Sequence, residues 1–231
     1  VRRICAARGR SIERVIGSGL NLIIGQLLAS ACVLLIAMTV HEFAHNYVGY
    51  RMGDPTPRDL GRLTLNPLVH INWVGWAMWV IIGFGILGSA PISEWRMRDR
   101  RWGYFWAVAA GPLSNLALAA FAALLYQLGI WRSEWFSRTD FLFNFNQFMT
   151  LFFNLNLLLF LFNLLPFFPF DGWHMLRKLL PPREASVLER YQQESMYIFL
   201  GLLLLSFVGF NLLGAILNPP YTFIARLLLG Q

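Results

Sequence analysis

Polar positions along this chain are bunched rather than spread. Five long apolar stretches, residues 20–50, 73–92, 103–131, 141–165 and 196–217, are separated by short polar segments rich in arginine. Inside the stretches the apolar residues run on without a period of two, so they read as helices and not as barrel strands. Runs beyond about 18 residues are long enough to cross a bilayer, and a helix satisfies its own backbone polar groups there. The pattern predicts an all-α fold, a polytopic transmembrane helical bundle.

The stretch 73–92 stands apart because it holds Gly75, Gly83, Gly85 and Gly88 and ends at Pro91. Basic segments flank it on both sides, with Arg51, Arg58 and Arg62 before it and Arg96, Arg98, Arg100 and Arg101 after it. Lys and Arg mark cytoplasmic loops, and a full crossing would put these two groups on opposite faces. A re-entrant segment that returns to its own face fits better and leaves about four spanning helices. The same rule sets Arg177, Lys178, Arg183 and Arg190 on that face, and leaves outside the loop 132–140, whose arginines are balanced by Glu134 and Asp140. It also puts the basic N-terminus outside, against the rule's own sense. Between the first stretch and the dip, GRLTLNPLVHIN alternates Leu63 and Leu65 with polar residues up to Pro67, which predicts a small membrane-edge β-hairpin. The chain divides into a basic N-terminal segment, 1–19, a membrane-embedded domain, 20–217, and a C-terminal tail, 218–231.

Composition agrees: 57% of residues are hydrophobic and 13% charged, against about a quarter charged in soluble domains. The net charge of +7 does not point to nucleic acid, because the 19 Lys and Arg sit between apolar runs, so no nucleic acid is expected as a partner and the lipid bilayer is. Cys5 and Cys32 are too few for a disulfide framework or a thiolate zinc site. Cys32 precedes His41 by nine residues, about 13 Å of helix, so it cannot join a metal site there and is expected to be a small apolar residue in a packed helix.

The end of the first stretch carries HEFAH, residues 41–45. Residues four apart share a helix face, so His41 and His45 can offer two imidazole nitrogens to one metal ion. Glu42 lies about 100° around the axis. It is poorly placed to ligate beside both histidines and well placed to take a proton from an attacking water, the arrangement of HExxH zinc peptidases. Ionisable groups in transmembrane segments are costly and functional by default, and three within five residues exceed what packing requires.

Catalytic zinc needs a third protein ligand. The candidates are His70, Glu94, Asp171 and His174. His70 and His174 read as interfacial histidines, and Glu94, among arginines, as a solvated ion pair. Asp171 follows NLLPFFPF, where Pro166 and Pro169 stop the helix and Gly172 lets the chain turn. Its carboxylate is either a metal ligand on the HEFAH side of the membrane or the N-cap of the helix WHMLRKLL.

Three separated motifs, HEFAH within TVHEFAHNYVGYRMGDPTPRDLGRLTLNP, AGPLSNL at 110–116 and NLLPFFPFDG at 163–172, resemble the site-2 protease family of intramembrane zinc metalloproteases. The resemblance spans residues 33–180 or so. It implies that His41, His45 and Asp171 bind one Zn2+ per chain, that Glu42 is the catalytic base, and that Asn163 faces the site and holds a substrate carbonyl or oxyanion. Asn115, with Gly111 and Pro112, would belong to the core helix packing near it. Phe170 stands where the family usually has Leu, a change at a packing position. No stretch is long enough for a PDZ or CBS domain, so the expectation is a minimal member. It would be an integral protein of the bacterial inner membrane, with its active site toward the cytoplasm and single-pass membrane proteins as substrates, alone, as a homo-oligomer or in a larger membrane complex. Cleavage would require local unwinding of the substrate helix, and the segment GRLTLNPLVHIN is the candidate for receiving it by strand addition. Two other readings are a catalytically silent scaffold subunit and a metal transporter. Transport would require polar residues along a path, whereas Asn144, Asn146, Asn154 and Asn156 read as interhelical hydrogen-bonders.

Overall fold

The computed structural model describes residues 2–135 and 143–230, with the backbone alone for 2–18. The basic side chains and Cys5 of the N-terminal segment, and Asp140, therefore lie outside the described residues.

Helix α1, Arg2–Arg51, carries a span of 33 residues from Gly19 with HEFAH near its end. Three further helices are long and apolar enough to cross a membrane: α4, Trp102–Gln127, α5, Phe145–Asn163, and α9, Leu212–Leu229. Shorter helices connect them: α2, Thr56–Asp59, α3, Trp73–Ile82, α6, Asp171–Leu179, α7, Pro182–Arg190, and α8, Gln192–Phe207. These assignments make the described chain a helical bundle with four candidate spans, the architecture expected from the apolar pattern.

Local chemistry sets the ends. Asn144 opens α5 with a capping box, its side chain accepting from Gln147 N and Gln147 Oε1 accepting from Asn144 N, both at 2.9 Å. Asn72 caps α3 through Gly75 N, and Gly83 ends it with φ of 80°. The fifth apolar stretch is not one helix. Gly209, at φ 103°, turns the chain and Asn211 caps α9, so the break falls at 208–211. The boundary after 217 lies inside a helix.

Residues 73–92 do not cross. At ten residues, α3 is about 15 Å long, half the hydrocarbon thickness. The chain then runs back extended, so that Asn72 N donates to Leu87 O at 2.9 Å and Ile71 makes an antiparallel bridge with Gly88. Glycine permits this fold-back: a Cβ on Gly75 would lie 1.7 Å from Ile86 O, and one on Gly85 2.0 Å from Gly75 O. The expected hairpin within 61–72 reduces to that single bridge, because Asn66 caps a 3₁₀ turn at Pro67–Val69 and the segment bends where a strand would run straight.

Helix α4 packs against α1, α5, α6 and α9. Its buried face is made of small residues, Gly103, Ala107, Gly111, Ala119, Ala122 and Ala123, which let α1 come close. The core beyond is phenylalanine-rich. Phe170 sits edge-to-face against Phe162 and Phe199, centroids 4.7 Å apart in each case, so the residue that departs from the family pattern wedges the turn before Asp171 against α5 and α8.

Candidate metal centre

Three donors from two distant parts of the chain converge. His41 and His45 lie on one face of α1 with their Nε2 atoms 2.9 Å apart, and Asp171 Oδ2 is 3.3 Å from the first and 3.4 Å from the second. They form the His-His-Asp group that the described residues offer a metal ion. Both histidines are buried, 3% and 4% exposed.

Each imidazole is held from behind by α4. His41 Nδ1–H donates to Asn115 Oδ1 at 2.7 Å, and His45 Nδ1–H donates to the Ala107 carbonyl at 2.8 Å. A neutral imidazole with its proton on Nδ1 carries a lone pair on Nε2, so both lone pairs and an otherwise unpartnered carboxylate oxygen face one point. That cluster is repulsive unless a proton or a metal cation sits among them. Donors about 2 Å from a tetrahedral zinc ion lie about 3.3 Å from one another, close to the spacings found, so these residues fit the metal. Gly111 leaves the room, since a Cβ there would fall 2.2 Å from His45 Nε2 and 2.8 Å from His41 Cε1.

The position of Asp171 is a product of its turn. The cap of α6 is Phe170, Asp171 is the first helical residue, and the helix has no side-chain cap hydrogen bond. The carboxylate is therefore not spent on capping, and that alternative falls away. Gly172 packs against the end of α5 so tightly that a Cβ would meet Leu164 O at 2.3 Å. Only glycine lets α6 start there.

Glu42 points to the other side of the same space. Its Oε1 rests against Gly88, whose Cβ would lie 2.4 Å away, and its Oε2 is buried without a hydrogen-bond partner among the described residues. A cavity of about 340 Å³ joins Glu42 to the His-His-Asp group, lined also by Asn163, Tyr104, His174 and the extended segment from Phe84 to Ala90. Asn163, the last residue of α5, gives one Nδ2 hydrogen to Leu159 O at 3.0 Å, which leaves its second hydrogen for the cavity.

The remaining candidates lie elsewhere than expected. His70 is buried, not interfacial, and its Nε2 ties the loop by donating to Thr64 O at 2.8 Å. It is not among the convergent donors. His174 lines the cavity one helical turn after Asp171, with its ring 6.3 Å from Tyr104, and burial pushes its imidazole below the ordinary value. Its i, i+3 spacing from Asp171 was the signal for this.

Glu94 is not solvated. Its side chain, 14% exposed, accepts from Arg177 at 2.5 Å and Lys178 at 2.7 Å, tying the loop after the dip to the helix that carries Asp171. Arg101 adds bonds to the Lys178 and Leu179 carbonyls, so the basic segments around 96–101 and 177–178 meet at one end of the bundle. Burial alone would raise the Glu94 carboxyl, but the Lys178 hydrogen bond and the Arg177 charge outweigh it and hold it below 4.5. A carboxyl lowered by folding stabilises the fold above its unfolded value and stops doing so as pH falls through the folded one. Glu94→Gln is accordingly expected to cost about 1.5–3 kcal/mol at pH 7. Thermal unfolding at a series of pH values should show the gap to the unsubstituted protein closing as pH drops below 4.5. A gap that stays constant would remove the ion pair as its cause.

Comparison with known proteins adds to this geometry. The profile of peptidase family M50 matches residues 137–206. The protein named "Putative zinc metalloprotease YwhC" of Bacillus subtilis is 34% identical over 198 residues, covering 84% of this chain and 88% of that protein. "Putative zinc metalloprotease Rip2" of Mycolicibacterium smegmatis is 31% identical over 106 residues, 44% of this chain and 39% of the other. No solved structure matches.

Proposed function

The chain belongs to the site-2 protease family of membrane zinc metalloproteases, peptidase family M50, and on that premise we propose that it is an intramembrane endopeptidase of the HExxH type, hydrolysing peptide bonds within or near transmembrane segments of single-pass membrane proteins. The observation that carries this reading is the convergence of two imidazole lone pairs and the Asp171 carboxylate on one point beside an unpartnered Glu42 oxygen. His41, His45 and Asp171 would hold one zinc ion per chain. Bound there, zinc supplies Lewis acidity, bringing the ionisation of water to about pH 7 and polarising a carbonyl.

The chain's own residues do the rest. Glu42, through Oε2, takes the proton of the attacking water and returns it to the amide nitrogen as the C–N bond breaks. Asn163 turns its second Nδ2 hydrogen to the carbonyl oxygen, where charge develops. The walls formed by Met38, Val108, Phe162 and Phe170 limit water to what the reaction uses. The extended segment 84–90, in place of 61–72, is the backbone edge that an unwound substrate can align with, because it borders Glu42 while residues 71–72 occupy only part of its backbone bonding. The basic segments at the end of the bundle nearest the site support a cytoplasmic orientation of that end in a bacterial inner membrane.

Metal analysis of the purified protein, joined to mapping of membrane-protein termini in cells with and without it, tests this function. About one zinc per chain is expected, with new termini inside or beside transmembrane segments that vanish on deletion and return on complementation. A metal-free protein whose deletion alters no terminus would leave the scaffold reading in its place.

A further inference from the structure

The two histidine donors are pinned by different means. His45 donates to a backbone carbonyl, an acceptor that cannot reverse. His41 donates to the side-chain amide of Asn115, which can rotate by half a turn and offer its NH2 group instead. Rotated in that way, Asn115 would donate to Nδ1 and move the imidazole proton to Nε2, into the space between the donors. His41 would then have no lone pair for the metal.

What prevents the rotation is a second buried amide. Asn115 Nδ2 donates to Asn156 Oδ1 at 3.1 Å and, at a longer 3.3 Å, to Ala37 O. Asn156 Nδ2 in turn donates to Phe152 O, one turn back on α5, at 2.8 Å. The relay thus has a direction, from His41 through Asn115 and Asn156 to a backbone carbonyl, and both amides are fully buried at 0% exposure. No water competes to satisfy a reversed arrangement, and an unpaired amide group there is costly.

We infer that Asn156, which bonds none of the three donors itself, is a positioning residue for the metal centre: by fixing the orientation of the Asn115 amide it fixes the tautomer of His41. The inference rests on the metal reading above and extends it to a residue on a third helix.

The test is zinc affinity, measured by chelator competition on the metal-stripped full-length protein in detergent. Asn156→Leu is expected to weaken zinc binding 10- to 100-fold, about the range for lost outer partners of a ligating histidine, with the metal-free protein still folded and its unfolding temperature lowered only by the loss of one buried hydrogen-bond partner. Where Asn156→Leu does not fold, Asn156→Ala, which adds no volume, reads the same quantity. Asn115→Asp supplies the decisive control, because a carboxylate accepts from His41 in either orientation. In that background Asn156→Leu should cost no zinc affinity. Nitrogen-15 shifts of His41 in the metal-free protein should report Nδ1–H normally and a mixture in Asn156→Leu. Unaltered zinc affinity in Asn156→Leu, or a loss just as large in the Asn115→Asp background, overturns the relay and leaves the metal reading standing. Failure of the unsubstituted protein to bind zinc overturns both.

Discussion

Glu42→Gln is expected to abolish measurable cleavage while leaving the metal content at about one zinc per chain. Glutamine has the shape of glutamate, and Oε1 is already confined against Gly88, so the side chain has no reason to leave its place. The change removes the proton acceptor and its charge while keeping the side chain's size, and positioned general bases contribute about 10²- to 10⁴-fold. Turnover of a substrate recovered from the terminus mapping, followed in parallel with zinc analysis, checks both halves of the expectation. Cleavage within a factor of a few of the unsubstituted rate would show that Glu42 is not the base. Zinc lost along with cleavage would show that the carboxylate holds the centre together, and the role given to it here would have to be redrawn.

Gly111→Ala should produce the opposite pattern of cause: zinc is lost although every donor remains. The added methyl would sit 2.2 Å from His45 Nε2 and 2.4 Å from its Cε1, where the metal-facing edge of the ring now lies. The ring cannot back away without giving up its bond to Ala107 O, and His41 is tethered in the same way to Asn115. Alanine is a better helix former than glycine by about 1 kcal/mol, so α4 itself should not suffer. The expected result is a helical, membrane-inserted protein with zinc affinity lowered at least about 100-fold, read by the same chelator competition and by circular dichroism. Full zinc occupancy in Gly111→Ala would mean that the donors are spread more widely than this geometry allows.

Much of this was legible in one dimension because it depends on neighbours in sequence. A run of apolar residues has to be helical to lie in lipid, and histidines four apart on a helix share a face wherever that helix is placed. The lone carboxylate of Asp171 in an apolar, helix-breaking context was legible for the same reason. Local pattern misjudged the rest at specific points. His70 and His174 read as interfacial, and Glu94 as solvated, because nothing in their own segments shows what packs over them. The stretch 196–217 read as one helix because its hydrophobicity is continuous, and the single Gly209 that breaks it weighs little in such a sum.

What the sequence determined by itself is the first three spans and the pair His41 and His45 on one helix face with Glu42 beside it. What only the tertiary structure decided is whether the third donor reaches that pair, which tautomers face the metal, and what lies over the site. These depend on close approaches between segments far apart in the chain: α4 against the histidines at Gly111, α6 against the end of α5 at Gly172, the returning segment against Glu42 at Gly88, and two asparagines 41 residues apart sharing one hydrogen bond. Each depends on how near two packed segments come, and no local preference of a residue for helix or lipid contains that distance.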